Sequence, residues 1–169
     1  MLFRSTVSSA RYQRRLSLLG KLEKNYSQAG AAGQVEDHAD VYRQASRLAT
    51  SPKLAAFDVS KEPEKVLSAY GDSSFGKGCI LARRLVESGV TYVEVTLNGW
   101  DTHNDGHDRV KALAGRCDQA YAALLADLKQ RGMLDRTLLV WMGEFGRTPR
   151  VNPNGGRDHY PKAFTVAVS

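Results

Sequence analysis

The chain has little cysteine, no long apolar run and no internal repeat. Two cysteines, Cys79 and Cys117, stand among 169 residues. No C-x-x-C pair occurs, which excludes zinc-finger and thioredoxin-type chemistry. Both cysteines fall among apolar neighbours in helix-patterned segments, so buried free thiols are expected rather than a disulfide. No apolar stretch approaches the roughly 18 residues that a membrane-spanning helix requires. Acidic excess is absent too: 24 Lys+Arg against 18 Asp+Glu leave a net charge of +6. Much of that surplus lies early, where Arg4, Arg11, Arg14, Arg15, Lys21 and Lys24 face Glu23 alone. Aromatics do not interleave with this stretch, so a solvated helix face is expected and nucleic acid is not an expected partner. The Arg- and Ser-rich start has the composition of a transit peptide and lacks the apolar core of a secretory signal.

What is present suffices for a core. Hydrophobic residues make up 42% of the chain, and the length suits one domain or a piece of a larger one. Residues 10–28 carry Tyr12, Leu16, Leu19, Leu22 and Tyr26 at helical spacing, and Gly30 and Gly33 interrupt the pattern. A second helix is expected over 38–49, ending before Ser51-Pro52. Residues 55–59 read as extended, and Ser60 as the N-cap of a helix over 61–69 that Gly71 ends. A further helix is expected over 75–88, stopped at Ser88-Gly89. Val90 to Leu97 reads as a strand covered on both faces. A long helix over 106–131 follows, with Val110, Leu113, Cys117, Tyr121, Leu124 and Leu128 as its buried stripe. Thr137 to Met142 reads as a second buried strand, and Ala163 to Val168 as the start of another.

Strand, helix, strand in that order predicts a βαβ unit with parallel strands. The expected fold class is therefore α/β, a partial doubly wound and mostly parallel sheet with flanking helices. Residues 1–53 form a helical N-terminal segment in this reading, and 54–169 an α/β domain incomplete at both ends.

Three polar clusters lie beside these runs: Gly99-Trp100-Asp101-Thr102-His103, Gly143-Glu144-Phe145-Gly146-Arg147-Thr148-Pro149 and Gly156-Arg157-Asp158-His159. In extended chain, residues two apart point the same way, so Asp101 and His103 can share an ion. His107 follows four residues later. Glu144 directly follows an apolar run, where it is either a ligand or an ion-pair partner of Arg147 or Arg150. Asp158 and His159 add a carboxylate and an imidazole. Arg147 and Arg157 offer donor forks for phosphate or sulfate oxygens. Asp101, His103, Glu144, Asp158, His159 and, less securely placed, His107 form a mixed oxygen and nitrogen set. Such a set suits one or two divalent ions, zinc or manganese first, with calcium or magnesium as alternatives. Two ions sharing carboxylates are a common device for displacement at phosphorus.

On these clusters, with Gly76-Lys77-Gly78-Cys79 and Leu81-Ala82-Arg83-Arg84-Leu85-Val86-Glu87, the chain resembles an uncharacterised bacterial domain family of the alkaline-phosphatase and sulfatase-like superfamily. The resemblance covers residues 54–168. It implies a two-metal site at the strand ends and a metal-dependent hydrolase of phosphate or sulfate esters, acting on an anionic ester. Arg147 and Arg157 would neutralise the substrate. Phe145 stands where the superfamily has a further ligand, with Asp158 and His159 as replacements. The superfamily's N-terminal nucleophile has no counterpart here, so the resemblance also implies a C-terminal fragment. Relatives of that kind are exported to the periplasm or cell surface, yet Arg14-Arg15 does not form a twin-arginine signal. The alternative is a non-catalytic, metal-containing binding or surface-assembly module of the same fold.

Overall fold

In the computed structural model residues 7–169 are described. Residues 1–6, where the transit-peptide-like start begins, lie outside the described residues. The chain divides into two units, Met1–Phe57 and Asp58–Ser169.

The first unit is a helical hairpin. Helix α1 spans Ser9–Tyr26 and α2 spans Ala32–Ala49. Ser8 caps α1 by accepting from the Arg11 amide. Between the helices, Gly30 adopts φ 100°, a backbone conformation that costs glycine little and other residues more. The helices run antiparallel, as the Tyr12–Ser46 hydroxyl contact (2.8 Å) and the His38–Glu23 pair (2.7 Å) require. The half-buried side of α1 carries Tyr12, Leu16, Leu19 and Glu23. Leu22 and Tyr26, expected on the same face, are exposed. Residues 52–57 form a 3-10 turn instead of the extended segment expected over 55–59.

The second unit is built on three helices: α3 (Glu64–Tyr70), α4 (Ser74–Glu87) and α5 (Gly106–Gln130). Helix α3 has Pro63 at its N-cap position, not Ser60, which lies in a 3-10 turn over Val59–Lys61. Ser73 caps α4 through the Gly76 amide at 3.0 Å. Tyr70, Cys79, Ile80 and Ala120 are buried together where α3, α4 and α5 meet, with Phe75, Val95 and Leu124 packed around them. A second cluster, Leu128, Met133 and Leu139, closes the far end of α5. Both cysteines are buried free thiols, as expected.

Beneath this core lies a charge network. The Arg83 guanidinium, 2% exposed, approaches Glu62 (2.7 Å), Glu87 (3.0 Å) and Asp127 (3.0 Å). Arg84 pairs with Glu62, and Arg131 with Asp127 (2.6 Å) and Glu87 (3.0 Å). The Tyr70 hydroxyl donates to Asp127 at 3.0 Å. Three arginines thus meet three carboxylates. Arg83, Glu62 and Asp127 are the members withdrawn from solvent, while Glu87 and Arg131 lie at the exposed edge. The pairing makes burial of Arg83 tolerable.

The parallel, doubly wound sheet is not what forms. Helices occupy more than half of the described chain, and the strands there are four: β1 (Val140–Trp141), β2 (Gly146–Arg147), β3 (His159–Tyr160) and β4 (Ala167–Val168). They pair as β1 with β4 and β2 with β3, both antiparallel. Residues 90–97 are not a strand. Val93, Val95 and Leu97 are half-buried while Tyr92, Glu94 and Thr96 are exposed, so the segment lays one row of side chains on the helices without a backbone partner. The βαβ unit therefore has no first strand. The expected buried strand over 137–142 shrinks to β1, and Leu138, Val140, Trp141 and Met142 are exposed. Residue pattern reports fitness for an extended surface, whereas a ladder also needs a second backbone in register.

Candidate metal centre

Two segments of the second unit build the site. The first, Asp101-Thr102-His103, enters α5. Trp100 stands edge-on to Trp141 with ring centroids 6.5 Å apart, and Trp141 in turn meets Tyr121 of α5 at 6.3 Å. Thr102 is buried. The second segment is the loop 148–158 between β2 and β3. It clamps the first through backbone bonds: Asp105 N–H to Asn154 O (3.2 Å), Gly106 N–H to Gly155 O (2.9 Å) and Arg157 N–H to Thr102 O (3.2 Å).

Asn152 organises the clamp. Its Oδ1 accepts from the amides of Asn154 and Gly156, each at 3.0 Å. Its Nδ2 donates to His103 O (3.0 Å) and to Asp158 Oδ1 (3.1 Å). Sequence reading did not single out Asn152. The signal was present in Asn152-Pro153-Asn154-Gly155-Gly156, a composition in which an Asn side chain satisfies backbone a few residues on.

Held in this way, three ligand-type atoms converge. His103 Nε2 and His159 Nε2 are 3.1 Å apart, and each lies 3.0 Å from Asp101 Oδ1. Neighbouring ligands of one ion with bonds of about 2.0–2.1 Å stand about 2.9–3.4 Å apart, and the observed triangle has that size. All three atoms can accept. Packed so closely they need a hydrogen-bond donor or a cation among them: an N–H on a ring nitrogen or a metal ion, beside the Arg147 guanidinium that reaches Asp101 Oδ1. Asp101, His103 and His159 could therefore hold a metal ion.

The remaining predicted residues fall around this triad. Asp158 Oδ1 meets the opposite edge of the His103 ring, Nδ1, at 2.9 Å. Arg147 donates to Asp101 Oδ1 at 2.7 Å and to Glu144 Oε1 at 2.8 Å. Glu144 is thereby an ion-pair partner of Arg147 and stands outside the converging triad. Arg157 donates to the carbonyls of Thr148 and Pro149, both at 2.6 Å, which turns it to the loop backbone. His107 lies on α5 with Val110, Val151 and Arg157 in a separate cleft. Phe145 packs its ring on His159 at 4.5 Å between centroids, and the Arg147 guanidinium lies 5.3 Å from the Phe145 ring centre.

Electrostatics follow the contacts. His159 first, and Arg147 after it, hold the Asp101 carboxyl below its ordinary range. The His103 hydrogen bond and then that of Asn152 do the same for Asp158. Both carboxylates are thus charged acceptors near neutrality.

Among the described residues no helix is long and apolar enough to cross a membrane. Neither among curated proteins nor among solved structures does any match this chain. The resemblance to the alkaline-phosphatase and sulfatase-like superfamily does not stand. No comparison supports it, and the sheet that it implies is replaced by helices and two short antiparallel ladders. One family description does fit, over residues 3–169, and by that match the chain belongs to the family described as "Protein of unknown function (DUF1501)".

Proposed function

We propose that this chain supplies a metal-dependent hydrolytic site for phosphate or sulfate esters, built on one divalent ion held by Asp101, His103 and His159. The convergence of Asp101 Oδ1 with two imidazole Nε2 atoms, that of His159 coming from 56 to 58 residues beyond the other two, carries the reading. One carboxylate and two imidazoles suit zinc or manganese. Structural zinc sites are closed by four protein ligands, whereas three donors on an exposed surface leave room for a substrate. An ion bound there would supply Lewis acidity toward an ester oxygen.

One ion is favoured over two. The Arg147 guanidinium already lies between Asp101 and Glu144, at 2.7 and 2.8 Å, and supplies the positive charge that a second cation would bring. Its planar fork also matches the oxygens of a phosphate or sulfate group. Phe145 gives this arginine and His159 an apolar wall. Arg157 and Asn152 keep the loop against residues 102–106.

The double pairing of Arg147 favours a second reading. If that arginine stays committed to its two carboxylates, the chain is a non-catalytic, metal-containing binding or assembly module.

Elemental analysis after loading with zinc or manganese, combined with assays on aryl phosphates and aryl sulfates, separates the readings. About one ion per chain is expected, with ion and hydrolysis lost together in Asp101→Ala and in His159→Ala. Arg147→Ala should keep the ion and lose roughly ten- to hundred-fold in hydrolysis, the worth of a charge-assisted hydrogen bond. A bound ion without any hydrolysis selects the second reading. Protein that takes up no ion overturns both.

A further inference from the structure

We infer that Asp158 is a positioning residue of this site, whose carboxylate fixes the His103 proton on Nδ1 and so turns the Nε2 lone pair toward Asp101 and His159. The inference rests on the metal-site reading above and adds a group that acts on the ion only through another residue. The sequence places Asp158 beside His159, and both read as ligands. In extended chain, however, consecutive side chains leave on opposite sides. The His103 ring is gripped between them, Nδ1 by Asp158 at 2.9 Å and Nε2 by His159 at 3.1 Å. Asp158 therefore meets the ring edge that faces away from the converging atoms.

An ionised carboxylate can only accept, so the hydrogen of this contact belongs to His103 Nδ1, while Asp101 Oδ1 has Arg147 and His159 Nε2 as its hydrogen-bond partners. A neutral imidazole has one N–H, which leaves Nε2 as the free donor of electrons. In water, neutral histidine prefers its proton on Nε2, the wrong nitrogen for this site, so a partner at Nδ1 is needed to reverse the preference. A carboxylate or carbonyl on the far nitrogen is the usual companion of a metal-binding histidine.

Asp158 is itself held in place. Its Oδ1 accepts from Asn152 Nδ2 at 3.1 Å, and its amide donates to Thr148 Oγ1 at 3.1 Å. The same Asn152 Nδ2 reaches His103 O at 3.0 Å. One amide group thus sets the distance between the His103 backbone and the carboxylate that orients its ring.

The test uses long-range proton–nitrogen spectra of the metal-free chain at a pH where the rings are neutral, with the four histidines assigned by single replacement. The wild type should show His103 protonated on Nδ1. Asp158→Ala should return the proton mainly to Nε2, while Asp158→Asn, whose carbonyl still accepts, should keep most of the Nδ1 form. In zinc titrations Asp158→Ala should bind roughly ten- to hundred-fold more weakly with unchanged stoichiometry. Zinc binding lost as completely as in Asp101→Ala would make Asp158 a ligand and overturn the inference. An unaltered His103 tautomer in Asp158→Ala, with zinc still bound by the wild type, would overturn it while leaving the metal site standing. A wild type that binds no zinc would bring down both, whatever the tautomer.

Discussion

A methyl group on Gly156 would overlap the carbonyl of His103 and the carbonyl oxygen of Thr102. Those are backbone atoms, which cannot swing aside as a side chain would. Gly156→Ala should therefore lift the loop 148–158 off residues 102–103 and break the Arg157 N–H to Thr102 O bond. We expect zinc affinity to fall about tenfold or more, as when a supporting group of a metal site is lost, while α3, α4 and α5 melt as before. Zinc titration with circular dichroism checks this. Ligand types at this scale are legible in the sequence: Asp101, His103 and His159 stand out as a carboxylate and imidazoles flanking apolar runs. Their division of labour is not. Asp158 and His159 look equivalent as neighbours, and only the position of the His103 ring between them separates the residue on Nδ1 from the one on Nε2.

Helix α4 presents Arg83 to carboxylates from three directions: Glu62 ahead of α3, Glu87 one turn on, and Asp127 of α5. Arg83→Ala would leave Glu62, which is 6% exposed at its side chain, facing Arg84 alone, and would strip Asp127 of one partner. Removing one partner of a buried ion pair such as Arg83 and Glu62 costs roughly 3–5 kcal/mol, because the group left behind loses its compensation. A urea unfolding curve measures it, and a loss below about 1 kcal/mol would contradict the account. Helices themselves are local objects. Period, the stop at Gly71 and the breaks at Gly30 and Gly89 are all written in contiguous residues, so α1, α4 and α5 are legible to within a few residues. Strands are not local. Val90 to Leu97 has the β-branched residues of a strand, yet it packs Val95 on the helical core and makes no ladder.

Across the second unit, the charge network couples the fold to pH. Burial pushes the Glu62 carboxyl up, but hydrogen bonds and charge from Arg83 and then Arg84 outweigh it and hold the group below its ordinary 4.5. With the folded value depressed, the unfolded chain takes up the proton first on acidification. The stabilising share of Glu62 is thus complete above about pH 4.5 and is lost as pH falls through the depressed value. Urea midpoints at pH 6, 4.5 and 3 should drop over the acid interval, and Glu62→Gln should flatten that drop. By itself the sequence determined α1, α4 and α5, the buried thiols of Cys79 and Cys117, and which residue types can bind an ion, because each depends on neighbours in the chain or on side-chain chemistry. Helix α2 starts six residues before the expected 38–49 and takes in Gly33. Tertiary structure decided that β1 pairs with β4 and β2 with β3, that Arg147 faces Asp101 and Glu144, and that Asp158 faces His103 Nδ1. Those are contacts between distant segments, fixed by which backbones and side chains can be satisfied together once α3, α4 and α5 have closed their core.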